Sequence, residues 1–231
     1  MTALADLPVG GLVDTAPAAR PGPVRLDGRF CRIEKLDMVR HGKGLWAATS
    51  GHDPLWVYMG YGPFRDETGF LNWIDERTVL IDPYAYAVIE RTSGQALGIV
   101  TLMEIRPAMR VIEMGNIVYA AALQRTPAAT EAQYLLARYV FEDLGYRRYE
   151  WKCNDLNAPS RRAALRLGFT FEGIFRQHMI IKGRNRDTAW FAMLDSEWPS
   201  RKAAFERWLD PSNFDADGRQ RVNLAAVRGS S

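Results

Sequence analysis

Residues that could bind and transform a charged ligand are concentrated in the stretch 113–142. The pattern predicts a strand over 111–119, a loop over 124–129 and an amphipathic helix over about 129–144. Such an order points the helix N-terminus at whatever lies above the strand end. Free backbone N–H groups and the positive end of the helix dipole meet there, which favours an anion such as a pyrophosphate. Taken alone, the pattern also fits an ordinary strand-to-helix connection.

The elements around this stretch predict one mixed α+β domain. Strands are predicted over 26–36, 84–90, 96–105, 111–119, 146–153, 169–182 and 188–194, and helices over 66–77, 129–144, 157–167 and from 199 onward. The last two strands form a hairpin across a polar turn at 183–187. Residues 1–25 are rich in Ala, Pro and Gly and predict a flexible arm. The domain spans 26–195, and residues 196–231 add a helix and a frayed tail.

Composition excludes several classes of protein. The chain has 231 residues with a net charge of +3 and no long basic run, so nucleic-acid binding is not expected. Two cysteines, Cys31 and Cys153, cannot form a disulfide framework, and a cytoplasmic location is expected. No apolar run is long enough to span a membrane, and no basic segment precedes the first apolar residues as in a secretory signal. No spacing of His, Cys and Asp suggests a metal site.

Two motifs at a fixed mutual spacing carry a resemblance to a known family. The first is Gln124-x-x-Pro127-x-Ala129 at the strand–loop–helix junction. The second comprises Asn157-x-x-Ser160, Leu167-Gly168-Phe169 and Glu172-Gly173. Together they resemble the GNAT acyltransferases, most closely the RimJ/RimL-like branch that acetylates ribosomal-protein N-termini. The resemblance covers roughly 26–195 and implies a single GNAT domain with a largely antiparallel, splayed central sheet flanked by helices.

The resemblance also implies where acetyl-CoA, the co-substrate, is bound. The pantetheine arm is expected to lie in the splay against the backbone of Ile117, Val118 and Tyr119. The expected cofactor-binding residues are those of the loop and helix start, Gln124, Arg125, Thr126, Ala128, Ala129 and Thr130, together with Asn157 and, near the adenosine phosphates, Arg161 and Arg162. One departure is Pro127, which stands where the family has Gly and lacks an N–H, so one donor is missing. Proline is still accepted in the first turn of a helix.

The implied reaction, attack of an amine on a thioester, needs groups that move protons. Glu113 is the candidate base, and its alternative is a solvated residue or an ion pair with an arginine. Ser160 matches the acid of the ribosomal branch, and its alternative is a helix residue that only bonds the backbone. The Tyr acid of many GNAT enzymes is replaced by Ala164. His178 could titrate near neutral pH, but a lone His on a strand is more often structural.

Aromatic and basic clusters leave two readings open. The aromatic side chains Trp46, Trp56, Tyr58 and Trp73 could line an acceptor pocket or form the core between helices and sheet. Arg161 and Arg162 could contact phosphates. Arg184 and Arg186 are expected in a solvated hairpin turn.

The predicted activity is acetyl transfer from acetyl-CoA to a primary amine by direct attack in a ternary complex. The acceptor is a protein or peptide N-terminus or a small-molecule amine, and a homodimer is possible on the family's pattern. The alternative is a catalytically degenerate GNAT domain that binds acyl-CoA as a sensor or interaction module. Pro127 and the missing tyrosine favour this alternative.

Overall fold

A computed structural model describes residues 8–229 and shows a single eight-stranded sheet. The strands are β1 Arg25–Asp27, β2 Cys31–Lys35, β3 Tyr84–Glu90, β4 Ala96–Arg106, β5 Val111–Tyr119, β6 Arg148–Asn154, β7 Thr170–Ile181 and β8 Arg184–Leu194. Their order in the sheet is β1-β2-β3-β4-β5-β6-β8-β7. Every neighbouring pair is antiparallel except β5 and β6, which are parallel. The expected mixed α/β fold with a largely antiparallel sheet is confirmed.

Helices cover both faces of this sheet. They are α1 Met38–Thr49, α2 Glu67–Thr78, α3 Pro127–Arg138, α4 Ala158–Leu167, α5 Trp198–Leu209 and α6 Leu224–Gly229. A π-helical turn, Tyr139–Asp143, continues α3. One core lies under α1 and α2, and the other lies under α3 to α6. In β3, Tyr86 and Ala87 point into opposite cores, so this central strand is buried on both faces.

The expected splay lies between the two parallel strands. Pairing of β5 with β6 ends at Met114 and Trp151, although β5 continues to Tyr119 and β6 to Asn154. On its other side, β5 has a bulge against β4, where Asn116 takes a φ of 49°. A bulge sharpens local twist and re-aims the side chains that follow it. The strands β5 and β6 therefore separate beyond Met114 and Trp151, where the family resemblance places the ligand.

The first predicted strand is wrong in one respect, because residues 26–36 form two strands. β1 and β2 pair with each other across a turn at 28–30. The carboxylate of Glu131 on α3 accepts backbone N–H groups of Arg29, Phe30 and Cys31 at 2.6–2.8 Å. The turn is thus fixed by a helix residue about 100 positions away in sequence, and the alternating pattern of residues 26–36 gives no sign of it.

The described part of the expected N-terminal arm contacts the domain. Residues 8–24 form no helix or strand. Ala18 and Ala19 nevertheless donate backbone hydrogen bonds to Pro107 and Leu144, and Gly22 bonds the hydroxyls of Tyr139 and Tyr86. The segment before β1 is therefore held against the sheet over residues 18–22.

The turn predicted at 183–187 is wrong, because β8 begins at Arg184. The chain reverses at Lys182 and Gly183, which take φ angles of 49° and 72°. Two successive left-handed residues match a two-residue hairpin turn and keep the strand twist. Arg186, expected in a solvated turn, consequently lies within a paired strand opposite Met179.

The frayed tail predicted after residue 210 is also wrong within the described residues. A 3-10 turn, Pro211–Asn213, follows α5, and α6 packs Leu224 fully into the core. The buried amide of Asn213 donates to the carbonyls of Trp208 and Val222 and accepts from the N–H of Val222. These bonds hold the polar segment in place without a hydrophobic repeat. No described helix has the length and apolarity to cross a membrane.

Candidate active site

A cavity of about 1460 Å³ opens at the splay between β5 and β6. Its walls include the loop before α3, one face of α4, the strands β5, β6, β7 and β8, and residues 214 and 218–220. Glu113 and Tyr119, both in the wall, are six residues apart on β5, roughly 20 Å along an extended strand. One continuous cavity therefore joins the base candidate to the N-terminus of α3.

The N-terminus of α3 is capped by Thr126. The Thr126 hydroxyl accepts the N–H of Ala129 at 3.2 Å, and Pro127 occupies the first helical position. Arg125, just before the cap, takes a left-handed φ of 62°. Small side chains and a left-handed turn bring the backbone close to the cavity, as an anion site at a helix N-terminus requires.

Fewer backbone donors are free at this turn than the sequence suggests. The N–H groups of Thr126, Ala129 and Thr130 bond Leu123, the Thr126 hydroxyl and the Thr126 carbonyl. Within residues 8–229, the N–H groups of Arg125 and Ala128 have no hydrogen-bond partner. Ala128 is buried in the core and does not line the cavity, so of these two residues only Arg125 lies in the wall.

Two arginines of α4 line the same end of the cavity. Arg162 and Arg166 are one turn apart and therefore share a helix face. Arg166 donates to the Thr130 hydroxyl at 3.1 Å, and its guanidinium lies 5.2 Å from the ring centre of Trp208. Arg166 has no carboxylate partner among the described residues, and burial lowers its pKa. Its charge is thus available to an anion in the cavity.

Arg161, expected with Arg162 at the phosphates, lies off the cavity. Its guanidinium pairs with Asp155 and stacks 5.5 Å from the ring centre of Phe171. Adjacent positions on a helix differ by about 100° in direction, so both arginines could not face one side. Arg161 therefore does not line the cavity as predicted, whereas Arg166, which the sequence did not single out, does.

The C-terminal segment closes this part of the cavity. Phe214, Gly218, Arg219 and Gln220 all line the wall beside Trp208. Trp208 donates to the Gln220 side chain at 2.8 Å and meets Phe214 edge to face at 5.3 Å. Sequence reasoning gave no role to these residues, because it treated the segment as frayed.

The strand β5 presents Ile117 and Tyr119 to the cavity but not Val118. Val118 is buried in the core under α1 and α2, on the opposite face, so only its backbone could meet a ligand. The Tyr119 hydroxyl accepts from Gln133 at 2.7 Å, and burial raises its pKa. Gln124 donates to the Tyr119 carbonyl at 2.8 Å and ties the loop to the strand end.

Glu113 is a buried carboxylate in the cavity wall. Its carboxylate lies 2.8 Å from the ammonium of Lys152, and the whole residue is 5% exposed. Burial raises the pKa of Glu113 to about 7, against the lowering effect of Lys152, and the nearby Glu150 and Glu104 raise it further. The expected ion pair is therefore present, with a lysine in place of an arginine.

Charges behind Glu113 form a connected network. Glu150 lies 2.8 Å from Arg106, 2.7 Å from Arg148 and 3.5 Å from Lys152. Lys152 also lies 4.0 Å from the ring centre of Trp190. These neighbours fix Lys152 in position, so the ammonium stays beside Glu113.

Ser160 and Asn157 hold the start of α4 at the cavity. The Asn157 side chain accepts the N–H of Ser160 at 3.1 Å and caps the helix. The Ser160 hydroxyl accepts from the indole N–H of Trp151 at 3.0 Å. An oxygen that already accepts one bond can still donate its own proton, so the Ser160 O–H remains available to a ligand.

His178 lines the cavity from β7. Its Nδ1 lies 2.9 Å from the hydroxyl of Thr188, and its ring meets Phe175 edge to face. Both strands of the last hairpin therefore contribute side chains to the wall. The bond to Thr188 fixes the ring orientation, which fits a structural role as well as a chemical one.

Only one of the four aromatic acceptor candidates reaches the cavity. Tyr58 lines it and donates its hydroxyl to the Leu156 carbonyl at 3.1 Å. Trp46, Trp56 and Trp73 instead pack with Phe70 in the core under α1 and α2. Their prediction as substrate-binding residues is wrong, because the apolar faces of both helices turn toward the sheet.

Arg186 and Trp190, on β8, are wall residues that the sequence did not reveal. With Thr188 they occupy alternate positions on one face of the strand, and all three line the cavity. Composition alone placed Arg186 in a solvent-exposed turn. Within the described part of the chain, no cluster of three or more His, Cys, Asp and Glu side chains could hold a metal ion.

The splayed mixed sheet and the capped helix at its opening define an acyltransferase of the GNAT class. The model of the GNAT acetyltransferase domain matches residues 45–170, and the chain belongs to this family. It is therefore an acetyl-CoA-dependent N-acetyltransferase. A comparison with curated proteins finds no match.

Solved structures agree with this assignment. A GCN5-related N-acetyltransferase from Brucella melitensis is 48% identical, with a TM-score of 0.91 over 93% of this chain and 98% of that one. A GNAT-family structure from Chromobacterium violaceum is 40% identical, with a TM-score of 0.78 over 84% and 98%. A structure from Vibrio cholerae, described as a candidate ribosomal-protein-serine acetyltransferase, is 20% identical, with a TM-score of 0.64 over 74% and 97%. At that identity, the last likeness shows the fold alone.

Proposed function

We propose that this GNAT enzyme acetylates a primary amine by direct attack on acetyl-CoA in a ternary complex, with Glu113 as the base. The observation that carries the proposal is the position of Glu113, a buried carboxylate with a pKa of about 7 in the wall of the cavity. A base whose pKa lies near the working pH has both a useful ionised fraction and a useful proton affinity.

Several groups in the cavity wall support the binding of coenzyme A there. The N-terminus of α3 offers the N–H group of Arg125, and Arg162 and Arg166 add positive charge. The open edge of β5 offers Ile117 and Tyr119 as an apolar path between the two ends. Acetyl-CoA, once bound, supplies the acetyl group as an activated thioester.

Glu113 would accept the proton that the amine must lose. Free alkyl amines have a pKa near that of Lys, about 10, so they arrive protonated at neutral pH. The Lys152 ammonium beside Glu113 stabilises the carboxylate form and keeps part of the population ionised at pH 7. Holding amine and thioester together in one cavity supplies much of the remaining acceleration.

Ser160 is the proposed donor to the leaving sulfur. Its oxygen is fixed by Trp151, and its own proton is free to point into the cavity. His178 is retained as a further candidate for proton transfer. The same wall contains Cys153, but burial raises its thiol pKa, which disfavours the thiolate. A covalent acetyl-cysteine intermediate is therefore disfavoured relative to direct attack.

The acceptor belongs to one of two classes, a protein or peptide N-terminus or a small-molecule amine. The RimJ/RimL-like motifs support the first class. The cavity, with its polar wall on β8, supports the second. The possible homodimer and the cytoplasmic location stay predictions.

A thiol-release assay tests the proposal. Purified protein is incubated with acetyl-CoA and a panel of amines and N-terminal peptides, and free CoA is measured with a thiol reagent. The proposal expects amine-dependent release with the acetylated product detected by mass. Acetyl-CoA binding without release on any acceptor would contradict it.

The second candidate function, an acyl-CoA-binding sensor, rests on the N-terminus of α3. Pro127 lacks an N–H, and three neighbouring N–H groups are engaged internally. Under this alternative, acetyl-CoA raises the melting temperature while no amine is consumed. Turnover on any amine in the panel would exclude it.

A further inference from the structure

We infer that the acceptor carries an anionic group close to its amine, and that Arg186 binds this group. The inference rests on the proposed amine acetylation and names its substrate class. The first observation concerns the guanidinium of Arg186. Within residues 8–229, the Arg186 guanidinium makes no ion pair and no hydrogen bond, and its buried Nε has no acceptor.

The free-energy cost of leaving a buried Arg186 donor without an acceptor indicates that a ligand binds there. A buried donor without an acceptor loses its bonds to water and gains none in exchange. Burial also disfavours the charged form of Arg186, and Glu113 and Cys153 act in the opposite direction. An anion in the cavity would satisfy both the charge and the donor.

A neighbouring side chain supports the same conclusion. The indole N–H of Trp190, four residues along β8, is also buried without a partner in the described chain. Thr188 lies between the two and is bonded to His178. The unsatisfied groups of this wall are therefore donors, and a bound molecule must bring acceptors such as carboxylate or phosphate oxygens.

The location favours the acceptor over the cofactor. Arg186 acts electrostatically on Glu113 and on Cys153, whose thiol lies within reach of Ser160. On β8 it lies four residues from Trp190, whose register partner on β6 is Lys152, the residue that pairs with Glu113, so Arg186 lies near the proposed base. The cofactor phosphates have their own cations, Arg162 and Arg166, at the N-terminus of α3.

The charges around Glu113 explain why the acceptor would carry both an amine and an anionic group. Glu113 is neutralised by Lys152, while Arg106 is neutralised by Glu150. Arg186 makes no ion pair with any described residue, although Glu104 also lines the cavity without an ion-pair partner. An acceptor with an amine and an anion places the amine at Glu113 and the anion at Arg186, and the planar guanidinium can hold a carboxylate with two parallel bonds.

The test compares matched acceptors that differ only in the anion. α-Amino acids are paired with their amides to test a carboxylate, and phosphoethanolamine is paired with ethanolamine to test a phosphate. Wild type, Arg186→Gln and Arg186→Lys are assayed, with Arg184→Gln as the control, since Arg184 is exposed at the end of the same strand. We expect wild type to favour one anionic member by about tenfold to a hundredfold in kcat/KM.

Arg186→Gln should abolish that preference, mainly through KM, while Arg184→Gln keeps it. Arg186→Lys should restore part of it, because lysine keeps the charge but not the paired bonds. Equal loss on both members of every pair would overturn the inference and place Arg186 at the thioester. Turnover on neutral amines without any preference would also overturn it, while the proposed acetylation would stand.

A binding measurement covers the case without turnover. The CoA-loaded protein is melted with and without each anionic amine, and the shift is compared between wild type and Arg186→Gln. A shift that Arg186→Gln removes would support the inference even though the proposed reaction had failed. The absence of any shift in wild type would overturn it.

Discussion

The ammonium of Lys152 lies 2.8 Å from the carboxylate of Glu113. Glu113 is on β5 and Lys152 is on β6, close to Met114 and Trp151, the last residues that pair these two strands. The strands diverge one position after Glu113, so the pair stands at the opening of the splay. A buried carboxylate alone would stay protonated at neutral pH, and a close ammonium opposes that tendency. The pair therefore sets how much base exists at the working pH.

Replacing Glu113 by Gln should lower turnover while leaving cofactor binding intact. The amide keeps the shape of the side chain but cannot accept the amine proton. We expect kcat to fall about a hundredfold or more. Lys152 keeps Glu150 as a partner at 3.5 Å, so the site stays paired. Steady-state kinetics and calorimetric titration with acetyl-CoA check the two parts, and unchanged kcat would remove Glu113 as the base.

Replacing Lys152 by Met should move the pH dependence of the reaction upward. The lysine lowers the pKa of Glu113, so its loss leaves less carboxylate at neutral pH. The rate should drop near pH 7 and recover at higher pH, before the acceptor itself titrates. The midpoint of the kcat/KM profile reports this shift. A uniform loss at every pH would show that Lys152 does not act through Glu113, and circular dichroism confirms the fold.

Replacing Arg166 by Gln should weaken acetyl-CoA binding about tenfold, the worth of one charge-assisted hydrogen bond. Arg161→Gln is the matched control, because Arg161 lies on the same helix and bonds Asp155 outside the cavity. Titration calorimetry gives both dissociation constants. Equal weakening in the two variants would mean that general helix charge, and not the cavity-facing arginine, attracts the cofactor.

Replacing Leu224 by Ala should destabilise the protein, because Leu224 on α6 is 1% exposed and belongs to the main core. We expect the free energy of unfolding to fall by about 2 kcal/mol, at the low end for a buried leucine, since a terminal helix can relax. Val222→Ala, at an exposed position, should change little. Urea denaturation monitored by tryptophan fluorescence measures both. An unchanged midpoint for Leu224→Ala would show that the tail is not held.

Much of the fold could be predicted from sequence because its signals are local. The hairpin of β3 and β4, the strand β5 and the existence of α3 all follow from periodicity, although α3 begins two residues before the predicted start. The splay was expected from the family resemblance, and the register of β5 and β6 agrees with it. The candidates Glu113, Ser160 and His178 all line one cavity.

Features fixed by distant contacts could not be predicted. The turn between β1 and β2 depends on Glu131, and the C-terminal segment depends on the side-chain bonds of Asn213. Periodicity also cannot separate a core face from a cavity face. Trp56 was therefore expected at the site although it is in the core, and Arg186 was expected in solvent although it lines the cavity.

The most direct test of the proposed mechanism is the pH dependence of kcat/KM for amine acetylation by wild type and by Glu113→Gln. The neutral form of Glu113 is inactive as a base, so the wild-type rate should rise with pH through a midpoint near 7, the pKa that burial produces. In Glu113→Gln that limb should disappear, leaving a slow rate that follows only the acceptor's own ionisation. A limb near pH 7 that persists in Glu113→Gln would contradict the assignment of Glu113 as the base.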